Sequence, residues 1–131
     1  MKFAYTILYV ENANHAVAFY EKAFGLEKRF IHESRQYAEM ETGGTTLSFA
    51  SKKLAKSNLP EGFQKNSLSH LPAGIEIAFT TDDVSTIFAL AVKAGATEIA
   101  KPQMKPWGQQ VAYVRDLDGV LVEIASPLDM D

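Results

Sequence analysis

Two glutamates stand in runs that are otherwise apolar. In Val120-Leu121-Val122-Glu123-Ile124-Ala125, strand alternation sends Val120, Val122 and Ile124 to one face and Leu121, Glu123 and Ala125 to the other. In Ile75-Glu76-Ile77-Ala78-Phe79-Thr80 the same alternation separates Glu76, Ala78 and Thr80 from a strongly apolar face. A charge held in apolar surroundings is costly unless something pairs with it. Two carboxylates on one face raise each other's proton affinity, which suits a general base or the binding of a hard divalent cation. The plainer alternative is that each meets an arginine, a lysine or a backbone amide.

The other reactive residue types add little. There are 3 histidines, His15, His32 and His70, and no i, i+4 or strand-paired spacing joins any two of them. Carboxylates without histidine suit a hard cation better than zinc, nickel or iron. The absence of cysteine removes disulfides, thiol nucleophiles and thiolate metal sites. No glycine-rich phosphate loop, Ser-His-Asp set or redox motif is present. Trp107, the only tryptophan, lies in Pro106-Trp107-Gly108, where it either stacks on a planar ligand or plugs the core. Tyr113 and Arg115 share a strand face and extend that wall, although Arg115 equally suits a pairing with Asp116 or Asp118. Lys52, Lys53 and Lys56 read as a solvated run.

The elements that must position these residues follow from periodicity. Phe3 to Val10 reads as a strand with Tyr5, Ile7 and Tyr9 on one face. A helix capped by Asn12 or Asn14 buries Ala16, Phe19, Tyr20, Ala23 and Phe24 and stops at Gly25. Strands follow over 26–34, 37–42 and 45–50, the last two joined at Gly43-Gly44. On Thr45 to Ala50, Leu47 and Phe49 face the helix, and Thr46, Ser48 and Ala50 face a solvent-reachable lining. Residues 51–71 are polar with little periodicity and read as a loop or linker. A strand over 73–81 leads to a helix capped at Asp82-Asp83, which buries Val84, Ile87, Phe88 and Ala91 and ends at Gly95. A short strand over 96–100, a loop over 102–108, a hairpin of 111–115 with 120–125 turned at Asp116-Leu117-Asp118-Gly119, and a tail from Pro127 to Asp131 complete the chain.

This order repeats. Ile7-Leu8-Tyr9-Val10 through Gly25 matches Ile77-Ala78-Phe79-Thr80 through Gly95 at an offset of 70, and Gly44 to Ser51 matches Gly119 to Ser126 at an offset of 75. The expectation is an α+β fold of two tandem βαβββ modules, about 1–51 and 73–126, joined by a linker over 52–72 into a single domain of 131 residues. Two such curved sheets enclose a concave cavity.

Bulk properties narrow the function. Apolar content of 47% and charged content of 22% are ordinary for a soluble globular chain. A net charge of -3 provides no basic field for nucleic acid or an anionic membrane. The apolar start is too short for a signal peptide or a membrane span, so a cytoplasmic protein is the default.

The tandem βαβββ pattern, Phe19-Tyr20 before Phe24-Gly25-Leu26, and Arg115-Asp116-x-Asp118-Gly119 followed by Glu123 resemble the vicinal oxygen chelate superfamily. It contains glyoxalase I, extradiol dioxygenases, fosfomycin-resistance thiol transferases and bleomycin-resistance proteins. The resemblance implies a glyoxalase/bleomycin-resistance-like fold over nearly the whole chain. Its metal enzymes carry ligands at four points that correspond here to Tyr5, Ser48, Glu76 and Glu123. The glyoxalase I pattern is His or Gln, Glu, His and Glu; this chain keeps the last carboxylate, has Glu where the second His belongs, and has Tyr and Ser elsewhere. Both histidines of the dioxygenase pattern are missing.

The resemblance therefore implies a protein that binds a small organic molecule in a crevice lined by Tyr5, Tyr9, Ser48, Trp107 and Tyr113. Glu76 and Glu123 supply charge suited to a cation, and the standard catalytic metal is not expected. The alternative is a lyase or isomerase of glyoxalase I type, in which Glu76 and Glu123 are catalytic and hold a divalent metal that polarises two adjacent substrate oxygens. A third possibility is a non-catalytic module that senses a metabolite. A homodimer with two equivalent crevices is expected, with no nucleic-acid or membrane partner.

Overall fold

The computed structural model describes residues 1–128, so most of the expected tail from Pro127 to Asp131 lies outside the described residues. The chain divides into two compact units, residues 1–66 and 67–131.

In the first unit, β1 (Tyr5–Val10) leads into α1 (Ala13–Phe24), and β2 (Glu27–Ile31), β3 (Tyr37–Glu41) and β4 (Thr46–Ser51) follow. The sheet order is β1-β4-β3-β2. Only β1 and β4 run parallel, with Tyr5 opposite Thr46 and Tyr9 opposite Ala50. Asn12 caps α1 by accepting from the His15 amide at 2.9 Å, and Gly25 closes it in the left-handed conformation at φ 66°. The buried stripe is Ala13, Ala16, Val17, Phe19, Tyr20 and Ala23. The Tyr20 ring lies 5.1 Å from that of Phe49 on β4, which fixes the helix on the sheet.

The second unit repeats the scheme. β5 (Glu76–Thr80), α3 (Val84–Ala94), β6 (Thr97–Met104), β7 (Gln110–Arg115) and β8 (Leu121–Ala125) form a sheet of order β5-β8-β7-β6. Here β5 and β8 are the parallel pair, with Glu76 opposite Leu121 and Ala78 opposite Glu123. Asp83 caps α3 by accepting from the Thr86 amide at 3.1 Å. Val120, Val122 and Ile124 are buried as their alternation predicts. The architecture is thus α+β, two tandem βαβββ modules.

Several local expectations change. The segment expected as loop contains α2 (Lys52–Asn58), capped by Ser51, whose hydroxyl accepts from the Leu54 amide at 3.1 Å. A helix of 7 residues with Ala55 as its buried residue is too short to show a period in the sequence. The strand expected over 96–100 extends to Met104, because β6 stays paired with β7 across two register irregularities. Ile75, expected on the apolar face, precedes β5 and is exposed. On β4, Thr46, Ser48 and Ala50 are buried rather than solvent-reachable, since β4 lies between β1 and β3 and Arg29 reaches across to Thr46.

The repeat also shifts by one residue. The offset of 70 aligns Ile7 with Ile77, but Ile7 is exposed on the face away from α1, whereas Ile77 shares the more protected face of β5 with Phe79. Pairing register makes Tyr5, not Thr6, the counterpart of Glu76. The cause is helix length: α1 has 12 residues and α3 has 11, so strand and C-terminal glycine cannot share one offset.

Arg115 is the structural keystone of the second unit. It is 6% exposed and donates to three backbone carbonyls, those of Gly119, His70 and Ser67, each at 2.9 Å. It holds the β7–β8 turn against the segment that precedes β5. Within the turn, the buried Asp116 carboxylate accepts from the Asp118 amide at 3.0 Å and the Val120 amide at 2.9 Å. Gly119 takes φ 95°, and a Cβ there would stand 2.8 Å from Arg115 Nη2 and 2.9 Å from the Ser67 carbonyl carbon.

Arg115→Met should therefore cost about 2–4 kcal/mol in urea denaturation, because it orphans buried carbonyls. Arg115→Lys should recover little of this, since one ammonium cannot span the three acceptors. Gly119→Ala should cost more than Gly43→Ala: both have positive φ, but nothing lies within 4 Å of a Cβ at Gly43.

Candidate functional site

The face of the second sheet away from α3 carries Glu76, Tyr113, Leu121 and Glu123. Tyr113 on β7 pairs directly with Glu123 on β8, and the Tyr113 hydroxyl donates to Glu123 Oε1 at 2.7 Å. Glu76 lies on the next strand, diagonal to Glu123, because the parallel register sets it opposite Leu121. Gly74, Ile75, Glu76, Tyr113 and Leu121 line a cleft of about 290 Å³ at this end of the sheet. Glu76 is exposed, while Tyr113 and Glu123 are half-buried.

The electrostatics follow from this geometry. Partial loss of hydration, then the Glu123 charge, push the Glu76 carboxyl above its ordinary value. The hydrogen bond to Glu123 and burial push the Tyr113 phenol up to about 12. Tyr113 is thus a neutral donor at physiological pH, and it fixes one oxygen of Glu123. No cationic side chain forms an ion pair with either glutamate among the described residues.

The first unit treats the same face differently. By register, Tyr5 is the counterpart of Glu76, Ser48 of Glu123, and Glu39 of Tyr113. Tyr5 is exposed, and Tyr9 is half-buried with its ring 4.8 Å from Phe63. Ser48 is fully buried, and its hydroxyl makes no hydrogen bond in the structure. Glu39 accepts from the Tyr37 hydroxyl at 2.8 Å and from Arg29 Nη1 at 3.0 Å. Arg29 also grips Glu41 through two bonds, of 2.9 and 3.1 Å, and donates to Thr46 Oγ1 at 3.0 Å. This guanidinium holds the Glu41 carboxyl below its usual range, while burial chiefly raises the Tyr37 phenol. Glu39 and Glu41 on this sheet thus share one internal cation. The network was missed in the sequence, where its signal was Tyr37, Glu39 and Glu41 at period two with Arg29 on the preceding strand.

Trp107 is 61% exposed, so it is no core plug. It sits in the β6–β7 turn, where its indole N–H donates to Gln109 Oε1 at 2.8 Å and Gln109 in turn donates to the Ser126 carbonyl at 2.8 Å. That turn lies at the end of the sheet where Val111 pairs with Ala125, and Glu76 lies at the other end. The structure brings Glu76, Tyr113 and Glu123 together and leaves Trp107 apart from them. Arg115, expected to extend the wall, is buried beneath the turn instead.

The metal implied by the fold resemblance does not fit this donor set. Two carboxylates are present, one already bonded to a phenol, and no group of three His, Asp or Glu able to hold a metal ion occurs among the described residues.

Tyr113→Phe should destabilise the protein by about 1 kcal/mol in chemical denaturation. Glu76 makes a pH-dependent contribution, because a raised carboxyl binds its proton more tightly in the folded chain. That stability is present at low pH and is lost as pH rises past the ordinary glutamate value of 4.5. The melting temperature of the native chain should accordingly fall relative to Glu76→Gln between acid and neutral pH. A difference that does not change with pH means the two carboxylates do not interact.

No curated protein matches the chain at a significant level. Solved structures do share its fold. A glyoxalase-related enzyme from Fulvimarina pelagi aligns with TM-score 0.82 at 18% identity, over 97% of this chain and 88% of that one. A glyoxalase/bleomycin resistance protein/dioxygenase family enzyme from Burkholderia phytofirmans PsJN aligns with TM-score 0.79 at 18% identity, over 96% and 98%. TioX from Micromonospora sp. ML1 aligns with TM-score 0.70 at 22% identity, over 96% and 98%. At these identities the likeness shows the fold alone. The family is shown by the sequence itself: the model of the Glyoxalase/Bleomycin resistance protein/Dioxygenase superfamily matches residues 2–124, and the chain belongs to that superfamily.

Proposed function

We propose that the protein binds a small organic cation, an amine or guanidinium on an apolar body, with Glu76 and Glu123 as its charged recognition pair and without a catalytic metal. The observation that carries this reading is a contrast between the two sheets. Arg29 forms ion pairs with both Glu39 and Glu41 on the first, whereas Glu76 and Glu123 on the second form no ion pair with any described side chain. Two adjacent carboxylates that repel each other gain more from an incoming cation than from water. Tyr113 orients Glu123 for that contact, and Leu121 and Ile75 offer apolar surface beside Glu76.

Binding of this kind sequesters its ligand and requires no bond to break. The metal-dependent lyase reading on Glu76 and Glu123 is less well supported, since the donor set lacks a third protein ligand. Within the proposal, Tyr5 and Tyr9 line the corresponding face of the first unit, where Ser48 is buried, and Trp107 supplies an exposed ring at the far end of the second sheet. A homodimer is the working form of this proposal, which sedimentation equilibrium would test.

A calorimetric screen of aromatic amines and guanidines tests the reading. At neutral pH, Glu123→Gln and Glu76→Gln should each weaken binding about ten-fold or more, and neither should unfold the protein. Affinity should decline as pH falls into the weakly acidic range, because Glu76 takes up its proton earlier than an ordinary glutamate. If both variants bind as the native chain does, the carboxylate pair is not the site. In parallel, melting scans with Mg²⁺, Mn²⁺, Ni²⁺ and Zn²⁺ should show no specific stabilisation; a stoichiometric metal whose removal lowers the melting temperature would restore the lyase reading.

A further inference from the structure

The first unit gathers positive charge in a place the family reading does not use. Lys52, Lys53 and Lys56 on α2 and Lys65 beyond it line one cleft of about 320 Å³ together with Glu61, Gly62 and Phe63. In the sequence Lys52, Lys53 and Lys56 look like a solvated run. The turn after α2, closed by the Gly62 amide donating to the Leu59 carbonyl at 2.7 Å, folds Phe63 and Lys65 back over the helix. Only Lys52 is committed elsewhere: it pairs with Glu11 at 3.1 Å and donates to the Asn66 carbonyl at 3.4 Å. Lys53, Lys56 and Lys65 form no ion pair among the described residues, and Glu61 is the single carboxylate in the cleft lining.

We propose that this cleft binds a phosphorylated small molecule whose phosphate is held by Lys53, Lys56 and Lys65 and whose planar or apolar body rests on Phe63. Ammonium groups on flexible stems serve as point-charge phosphate binders. Three cations without ion-pair partners line one concavity, which offers a dianion several point charges at once. Concavity strengthens the effect, since low-dielectric walls focus the field. The cleft volume lies within the range of small-ligand pockets. Phe63 is half-buried, and its edge-on packing against Tyr9 holds the ring in place at the cleft wall. Its lining residues all lie in the first unit, whereas Glu76 and Glu123 belong to the second.

Titration calorimetry with phenyl phosphate and with inorganic phosphate, on the full chain, tests the proposal. Phenyl phosphate should bind one to one and weaken as salt is added. Lys53→Gln with Lys56→Gln should reduce its affinity about ten-fold or more while leaving the melting temperature unchanged. Lys93→Gln on α3 should leave the affinity as it is. Phe63→Leu should remove the preference for phenyl phosphate over inorganic phosphate, and Lys65→Gln provides the check should that variant fail to fold. The absence of saturable binding, or binding that survives the double lysine variant, overturns the site. Equal affinity for the two probes in the native chain overturns the assignment of a ring-bearing ligand.

Discussion

The parallel pairing of the first strand of each unit with its last is the constraint on which the remaining structure depends. A parallel pair cannot be closed by a tight turn, so each unit needs a long crossover between its partners, and here a helix and two further strands supply it. That requirement produces βαβββ in both units and places β4 and β8 inside their sheets rather than at an edge. It also sets register, and register decides which side chains share a face. A slip of one residue between β5 and β8 would turn Glu76 toward α3 and away from Glu123. The candidate site is therefore a consequence of strand pairing and not of any local motif.

Both units share one pattern but dispose of charge differently. The first meets Glu39 and Glu41 with the Arg29 guanidinium, whose planar fork spans Glu39, Glu41 and Thr46. The second uses a phenol to steady Glu123 and leaves Glu76 beside it. A neutral donor satisfies a lone pair without cancelling charge, so this face keeps its negative potential. The one arginine on the last hairpin, Arg115, is turned inward to bind backbone carbonyls. Its burial explains how a chain can carry an Arg two residues from Tyr113 and still present an acidic surface there.

Much of the fold was legible because periodicity, capping and turn chemistry agree in this sequence. The α1 stripe, the Gly25 and Gly95 stops, and the Asp116-to-Gly119 turn are each local signals with a physical cause, and the structure keeps all of them. Illegibility arose where no period could build up. α2 has 7 residues and too few apolar positions to differ from a loop. The end of β6 depended on a partner strand, since Lys101 to Met104 have no strand pattern of their own. The single-residue difference between α1 and α3 misled the repeat, because an offset read from residue identity does not see that a helix has lost a position.

What the sequence determined by itself was the kind of face each strand would show: alternation alone separated Glu76 and Glu123 from the core, and family membership follows from residues 2–124. What only the tertiary structure decided was which partner each charged group would find. Arg29 and Glu41 lie 12 residues apart, Tyr113 and Glu123 10, Arg115 and Ser67 48, and Lys65 joins Lys53 and Lys56 only through the turn after α2. Side-chain type and alternation are local properties, whereas pairing across strands and turns is a property of register. For that reason the carboxylates could be named from the chain, while their neutralised or open state could be read only from the fold.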